Sequence, residues 1–211
     1  MCLRCSAKGF HMKHARPLFV AIGCLALIAG CRSEASPARP AIAPPSAPTN
    51  VPLSRILDSL HIAPDELWLW VDKSDRVFRV MKDSIELKRY RCVLGEHPVG
   101  DKFMQGDRRT PEGTFTFRSK RRPHTWHVFI HIDYPNAESR RRFAERKRQG
   151  LIPANADIGG EVGIHGVPEG MDRWIDNGSD WTWGCIALTN ADVDEIYPII
   201  TPWRTKLVIV P

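Results

Sequence analysis

Hydrophobic and polar residues alternate in short segments from Glu66 to the end of the chain, with the period of a β-strand. In the first segment Leu67, Leu69 and Val71 share one face, and the side chains between them share the other. Similar patterns predict five further strands, over residues 76–81, 85–94, 114–117, 126–132 and 206–210.

Three other segments have helical patterns. A short one covers residues 54–60, a longer one runs from the capping residue Asn136 to about residue 149, and a third begins near residue 190 and ends at Tyr197. Because strands outnumber helices, we predict an α+β fold, a mainly antiparallel β-sandwich with two or more helices.

The N-terminal residues have the pattern of a secretory signal. A basic segment precedes an apolar run over residues 18–28, which is shorter than the roughly 20 residues of a membrane-spanning helix and is typical of a signal peptide. The run ends in LIAGC at residues 27–31, which resembles the lipobox of bacterial lipoproteins. We therefore predict a lipoprotein signal peptide over residues 1–30 and lipidation of Cys31, with ordinary soluble secretion as the alternative.

Residues 31–65 are predicted to link the lipidated cysteine to the body of the protein, residues 66–211. Six prolines lie among alanine and serine in residues 32–52, a composition that favours an extended spacer. Residue 32 is arginine rather than aspartate, which by the lipoprotein sorting pattern indicates the outer membrane of a two-membrane bacterium. We expect a periplasmic, lipid-anchored protein.

The charge distribution argues against a nucleic-acid partner. The formal charge is +6, but four basic residues lie in residues 1–30, and the remainder carries 26 basic against 24 acidic residues. A body this close to neutral does not attract polyanions strongly. The basic residues of the predicted helix at 136–149 indicate a solvated surface, with a contact to an anionic envelope polymer as the alternative.

Of the six cysteines, only Cys92 and Cys185 follow Cys31. These two could form a disulfide, but their surroundings favour a buried, structural Cys92 and a reactive Cys185. No C-x-x-C motif occurs in this part of the chain, so a thiol redox protein is the weaker alternative.

The residues suited to chemistry lie in GIHG, at residues 163–166, and in Gly184–Cys185. A thiol attacks a carbonyl as its thiolate and needs a nearby base or cation, and histidine is the side chain best suited to this near neutral pH. The flanking glycines permit tight turns, and amide groups near the thiol could receive a developing oxyanion. His165 and Cys185 are therefore the candidate catalytic residues.

The sequence around these motifs resembles the YkuD-type L,D-transpeptidases, and in particular their YafK-like branch, over about residues 66–211. The motifs that carry the resemblance follow the family's order. They are GEHPVGDK at 95–102, RTPEGTF at 109–115, DYPN at 133–136, IHG at 164–166 and DWTWGCIAL at 180–188.

The resemblance implies a role for four site residues. Cys185 is expected to be the nucleophile and His165 its general base. The carbonyl of Gly166 is expected to orient the imidazole, and Gly184 to allow the turn that presents the thiol and the backbone that receives the oxyanion.

Three positions depart from the commoner family motif, in which S-H-G-C is followed by a small apolar residue and arginine. Thr182 stands for the serine, Trp183 for the histidine and Ala187 for the arginine. The last change leaves open how the carboxylates of the substrate are held. Trp183 and His127 are the further candidates for substrate binding, and for His127 a surface or structural role is the alternative.

The reaction implied by the resemblance is acyl transfer on peptidoglycan stem peptides through a thioester. An amine acceptor gives a 3→3 cross-link or attaches a lipoprotein, whereas water makes the enzyme a hydrolase or L,D-carboxypeptidase with the same two residues. A non-catalytic peptidoglycan-binding lipoprotein is the alternative from another class. Another envelope lipoprotein could be an acceptor or substrate.

Neither a metal nor an organic cofactor is expected. His127 and His131 would share a face of the predicted strand but stand about 13 Å apart at 3.3 Å per residue, too far for one zinc ion to bind both.

Overall fold

The computed structural model of the protein describes residues 50–211. The predicted signal peptide, Cys31 and most of the linker lie outside the described residues. None of the helices within residues 50–211 is long and apolar enough to cross a membrane.

Nine strands form two sheets in the described part of the chain. In the five-stranded sheet the order is β3-β2-β1-β9-β4, and in the four-stranded sheet it is β5-β6-β7-β8. The strands are β1 (Leu67–Asp72), β2 (Val77–Lys82), β3 (Ile85–Arg91), β4 (Gly113–Phe115), β5 (Phe117–Arg121), β6 (Phe129–Ile132), β7 (Gly163–His165), β8 (Ile186–Ala187) and β9 (Lys206–Val210).

Most neighbouring strands are antiparallel, and two pairs, β1 with β9 and β7 with β8, are parallel. The alternation predicted for β1 is confirmed, because Leu67, Leu69 and Val71 are all buried. These side chains and apolar residues of the second sheet, among them Ile164 and Ile186, belong to one hydrophobic core. The α+β class follows from these sheets together with four α-helices.

The segment predicted as one strand over residues 114–117 is two strands in different sheets, with Thr116 between them. Thr116 is bonded to Asp133 instead of to a neighbouring strand: its N–H and hydroxyl donate to the carboxylate at 3.0 and 3.1 Å. The N–H of Asp133 donates to the Thr116 carbonyl at 2.9 Å. These bonds hold the crossover while Phe115 and Phe117 on either side stay buried.

The predicted strand over residues 126–132 is also shorter in the structure, since β6 begins only at Phe129. His127 adopts a left-handed backbone conformation with φ 57°, which an extended strand cannot contain. His127 and His131 therefore do not share one strand face. β7 and β8 were not predicted, because three and two residues are too few to show a period.

The helices are α1 (Leu53–Leu60), α2 (Ala137–Arg148), α3 (Arg173–Asp176) and α4 (Asn190–Ile196). The predicted N-cap of α2 is confirmed, because the Asn136 side chain accepts the N–H of Ser139 at 3.0 Å. Thr189 caps α4 in the same way through the N–H of Asp192 at 3.1 Å. α3 is a single turn that the sequence pattern did not predict.

The basic helix α2 does not present all its arginines to solvent. Arg142 and Arg146 point inward and bind the carboxylate of Asp101 at 2.9 and 2.6 Å. Arg146 also donates to the Lys102 carbonyl at 2.8 Å. Helix α2 therefore anchors the loop that follows residue 100, a loop that contributes to the candidate site.

Candidate active site

The two candidate catalytic residues lie at a pair of adjacent parallel strands: His165 ends β7, and Cys185 immediately precedes β8. In the β7–β8 pair Ile164 is opposite Ile186, and His165 is opposite Ala187. Because Ile164 and Ile186 face the core, the residues that alternate with them, His165 and Cys185, project from the other face of the sheet. For an ideal extended backbone continued from β8 to Cys185, a strand spacing of about 4.8 Å and a rise of about 3.3 Å per residue would place their Cα atoms about 8 Å apart.

The thiol of Cys185 lies at a cleft of about 660 Å³ and is partly exposed. Its S–H group donates to the Glu161 carbonyl, with the sulfur 3.7 Å from the oxygen. The cleft is also lined by Lys102, Arg108 and Trp183. An approaching substrate can therefore reach the sulfur from solvent.

Gly184 forms the turn that presents the thiol. Its φ is 127°, and a Cβ placed there would lie 2.6 Å from the Arg109 carbonyl oxygen, so only glycine fits. Thr182 holds the turn at both ends: its hydroxyl accepts the Gly184 N–H at 3.1 Å and donates to the Cys185 carbonyl at 2.7 Å. Threonine thus keeps the hydroxyl of the family's serine, and the Gly184 N–H is engaged with it.

The ring of His165 is oriented by a backbone carbonyl. Its Nδ1 lies 2.6 Å from the Gly166 oxygen, and because a carbonyl only accepts, Nδ1 carries the proton and Nε2 of the neutral ring carries a lone pair. A Cβ at Gly166 would lie 2.2 Å from Oδ1 of Asn190. Because glycine has no Cβ, the backbone can pass this close to Asn190 and place the carbonyl beside the ring. The contact expected of Gly166 is present, and its catalytic role stays a prediction.

Three aromatic rings enclose the His165 imidazole. The ring centroids of Trp126, Trp181 and Phe129 lie 5.0, 5.6 and 5.8 Å from it, and His165 is 3% exposed. This burial lowers the pKa of His165 to about 4, against the opposing effect of the Gly166 hydrogen bond. The imidazole is therefore neutral at physiological pH and can accept a proton.

Cys185 is also neutral at rest. Burial raises the pKa of its thiol to about 11, although the Gly163 N–H and the charge of Lys102 favour the thiolate. At rest the site therefore contains a protonated thiol and a neutral imidazole, rather than a thiolate and an imidazolium. The pair is suited to proton transfer during attack on a carbonyl, since the histidine can take the proton as the sulfur–carbon bond forms.

Lys102 is a site residue that sequence reasoning did not single out. It is buried, and its ammonium pairs with Asp107 at 2.7 Å. Asp107 also accepts the N–H groups of Phe103, Met104 and Arg109 at 2.6, 3.1 and 3.1 Å. This fixed loop keeps a positive charge beside the thiol. The only signal in the sequence was the position of Lys102 inside the GEHPVGDK motif.

The two predicted substrate-binding residues lie in different places. Trp183 is 78% exposed and lines the cleft with Cys185. His127 lies in a separate cavity with His124 and Glu169, and its Nε2 is 2.7 Å from a carboxylate oxygen of Asp194. The structure thus brings Trp183, but not His127, to the cleft of the thiol.

The second thiol of the body, Cys92, is fully buried, and both Cys92 and Cys185 are free. Burial raises the pKa of Cys92 to about 12. His131 has its own partner, with Nε2 at 2.9 Å from Glu161. Within residues 50–211 no three histidine, cysteine or acidic side chains are grouped as metal ligands would be.

A family model now identifies the class of protein. The model of the YkuD family, the L,D-transpeptidase catalytic domain, matches residues 66–210. The chain therefore belongs to this family, whose members act on peptidoglycan stem peptides. No curated protein matches the chain.

Several solved structures are similar to the chain. The helical cell shape determining protein Pgp2 from Campylobacter jejuni is 22% identical, with 74% of this chain and 54% of that one covered and a TM-score of 0.48. Bd1075 of Bdellovibrio bacteriovorus is 18% identical, with 69% and 48% covered and a TM-score of 0.48. The L,D-transpeptidase from Mycobacterium smegmatis is 16% identical, with 69% and 59% covered and a TM-score of 0.45. The chain spans about half the length of these proteins.

Proposed function

We propose that the protein is a cysteine-dependent L,D-transpeptidase that acts on peptidoglycan stem peptides through a thioester on Cys185. One observation carries the proposal. Cys185 lines an open cleft next to β8, and the parallel neighbour β7 ends in His165, with Nδ1 protonated and Nε2 able to accept a proton.

In the first half of the reaction, Cys185 attacks the carbonyl at the L-centre of the third stem residue, diaminopimelate. The thiol proton passes to Nε2 of His165 as the sulfur–carbon bond forms. The tetrahedral intermediate then expels the terminal D-alanine, whose amine takes that proton from His165. The products of this half are a thioester on the enzyme and free D-alanine.

The surroundings of the two residues support this sequence of proton transfers. The positive charge of Lys102 favours negative charge on the sulfur and is held there by Asp107. The ring of Trp126, 5.0 Å from the imidazole, can stabilise the transient imidazolium through its π-face. Both features act most strongly once charge has developed on the sulfur and the imidazole. Stabilisation that is stronger in the transition state than in the resting state lowers the activation barrier.

In the second half, an amine of another stem or of an envelope lipoprotein attacks the thioester and forms the new amide. Water in place of the amine gives a tripeptide and makes the protein a hydrolase. This second candidate is favoured by the open cleft, because Cys185 lines it and is partly exposed to solvent.

Product analysis tests the proposal. The protein and its Cys185→Ala variant are incubated with purified disaccharide-tetrapeptide, and the protein and muropeptides are followed by mass spectrometry. We expect a thioester adduct and 3→3 dimers with the wild-type protein, and neither with the variant. Tripeptide without dimers would identify the hydrolase. The absence of adduct and product with every stem peptide and lipoprotein-linked fragment would favour the non-catalytic binding protein.

We also propose that the protein is a YafK-like lipoprotein of the periplasm, held at the outer membrane by lipid on Cys31. The support is in the sequence, in the LIAGC segment and the arginine at position 32. A two-membrane bacterium that expresses the protein and is fed a fatty-acid probe should label the wild type in outer-membrane fractions, but not Cys31→Ser. An unlabelled wild-type protein in the soluble periplasm would contradict the anchor.

A further inference from the structure

The cleft beside Cys185 is lined by side chains of opposite charge. Arg108 and Glu161 both line it, and their side chains are 45% and 83% exposed. The other cation of the cleft, Lys102, is buried and paired with Asp107 at 2.7 Å. Arg108 and Glu161 are therefore the charges that a ligand can reach.

Glu161 lies next to the Cys185 thiol. Its backbone carbonyl accepts the hydrogen bond of the Cys185 thiol at 3.7 Å. The Glu161 side chain therefore branches from the backbone next to the sulfur. One carboxylate oxygen lies 2.9 Å from Nε2 of His131. The other carboxylate oxygen is available to bind an ammonium group.

Arg108 extends over the residue that precedes the turn of Gly184. Its guanidinium lies 5.9 Å from the centroid of the Trp183 ring, which holds it above the cleft. Nη1 donates to Glu96, and in the described part of the chain this is the hydrogen bond that the side chain makes. Nε and Nη2 remain as donors in the fork geometry that suits a carboxylate.

The backbone of Arg108 and of Glu161 is in the left-handed conformation, which residues other than glycine rarely adopt. The φ angles are 55° for Arg108 and 53° for Glu161. Such conformations persist where surrounding contacts impose them, and they are concentrated at functional sites. At Arg108 the imposed contact is a hydrogen bond from the N–H of His97 to its carbonyl, at 3.1 Å.

We propose that Arg108 and Glu161 bind the side chain of the third residue of the acyl donor. Arg108 binds the carboxylate at the D-centre of that side chain, and Glu161 binds the ammonium at the same centre. This inference rests on the proposed function, because it concerns how the protein binds the side chain of the residue whose carbonyl Cys185 attacks. It also accounts for substrate binding without an arginine at position 187, where a fully buried alanine lies in β8.

The test measures kcat/KM for thioester formation with three tetrapeptide donors. The first has free diaminopimelate at the third residue, the second has its D-centre carboxylate converted to a carboxamide, and the third has its D-centre amine acetylated. The wild-type protein should prefer the first donor to each of the others by about 10-fold or more, the effect of one charge-assisted hydrogen bond.

Each variant should lose one preference and keep the other. Arg108→Gln should lower kcat/KM about 10-fold for the free and acetylated donors and leave the carboxamide unchanged. Glu161→Gln should do so for the free and carboxamide donors and leave the acetylated one unchanged. Arg108→Lys should recover part of the loss, and Arg204→Gln, an exposed arginine outside the cleft lining, should match the wild type.

Three results would overturn the inference. Equal rates of thioester formation by the wild-type protein with all three donors would contradict the inference and leave the proposed function intact. A fall by the same factor for every donor in Arg108→Gln and Glu161→Gln would show that the two residues only support the loop. Failure of every donor to form a thioester would overturn the proposed function and this inference together.

Discussion

Replacing His165 with glutamine should lower the rate of thioester formation by about 10²- to 10⁴-fold, the usual contribution of a positioned general base. Glutamine can still donate a hydrogen bond to the Gly166 carbonyl, as Nδ1 does now at 2.6 Å, but it cannot take the thiol proton. The rate is measured in a single turnover by mass spectrometry of the acylated protein. His97→Gln is the matched control, because the Nδ1 of His97 also contacts a backbone carbonyl, that of Asp107 at 2.9 Å.

The pH dependence distinguishes this role from a structural one. Burial lowers the pKa of His165 to about 4 and raises the pKa of Cys185 to about 11. Acylation by the wild type should therefore fall as the pH drops through about 4 and stay level up to about pH 10, and the acid limb should vanish in His165→Gln. An acid limb at pH 6 to 7 would contradict a buried neutral imidazole.

Folding must be followed in the same experiment. A histidine whose pKa is lowered by folding binds fewer protons in the native state than in the unfolded state below about pH 6.5. The stability contributed by neutral His165 is thus full above the unfolded pKa and is lost as the pH falls toward 4. Circular dichroism at each pH separates loss of the base from loss of the fold.

Gly184→Ala should reduce acylation by at least about 10²-fold, because the turn must shift to relieve the contact and thereby displaces the neighbouring thiol. The new Cβ would lie 2.6 Å from the Arg109 carbonyl oxygen, and the φ of 127° is unsuitable for alanine. The free energy of unfolding should fall by about 1–3 kcal/mol, measured by urea denaturation.

Gly150→Ala provides the comparison for this substitution. Gly150 also has a positive φ, 68°, but a Cβ there would have no heavy atom within 4 Å. It should lose some stability through backbone strain and retain full activity. Equal activity of Gly184→Ala and Gly150→Ala would show that the turn at Gly184 does not position the sulfur.

The fold was predictable where neighbours in sequence decide the local structure. The alternation at Leu67, Leu69 and Val71 and the cap at Asn136 depend on short-range geometry, and both are confirmed. The break at Thr116 was not predictable, because Asp133, seventeen residues away, takes the hydrogen bonds that would have continued the strand. A local pattern does not contain such distant partners.

The site was predictable in the same unequal way. The motifs identify Cys185 and His165 as candidates, since in each motif a reactive side chain lies next to a glycine. The charges around them come from distant loops, as with Lys102, Arg108 and Glu161, and only the fold brings these together. The pKa values could not be foreseen either, because they depend on burial.

The raised pKa of Cys185 has a consequence for the oxidation of its thiol. Peroxides and disulfides react with thiolates far faster than with thiols, so oxidation to sulfenic acid follows the ionised fraction. A thiol with a pKa of about 11 has a very small ionised fraction at neutral pH, and in the proposed mechanism it becomes a strong nucleophile only as His165 removes its proton. We therefore expect the resting thiol to react slowly with oxidants, although Cys185 lies at an open cleft.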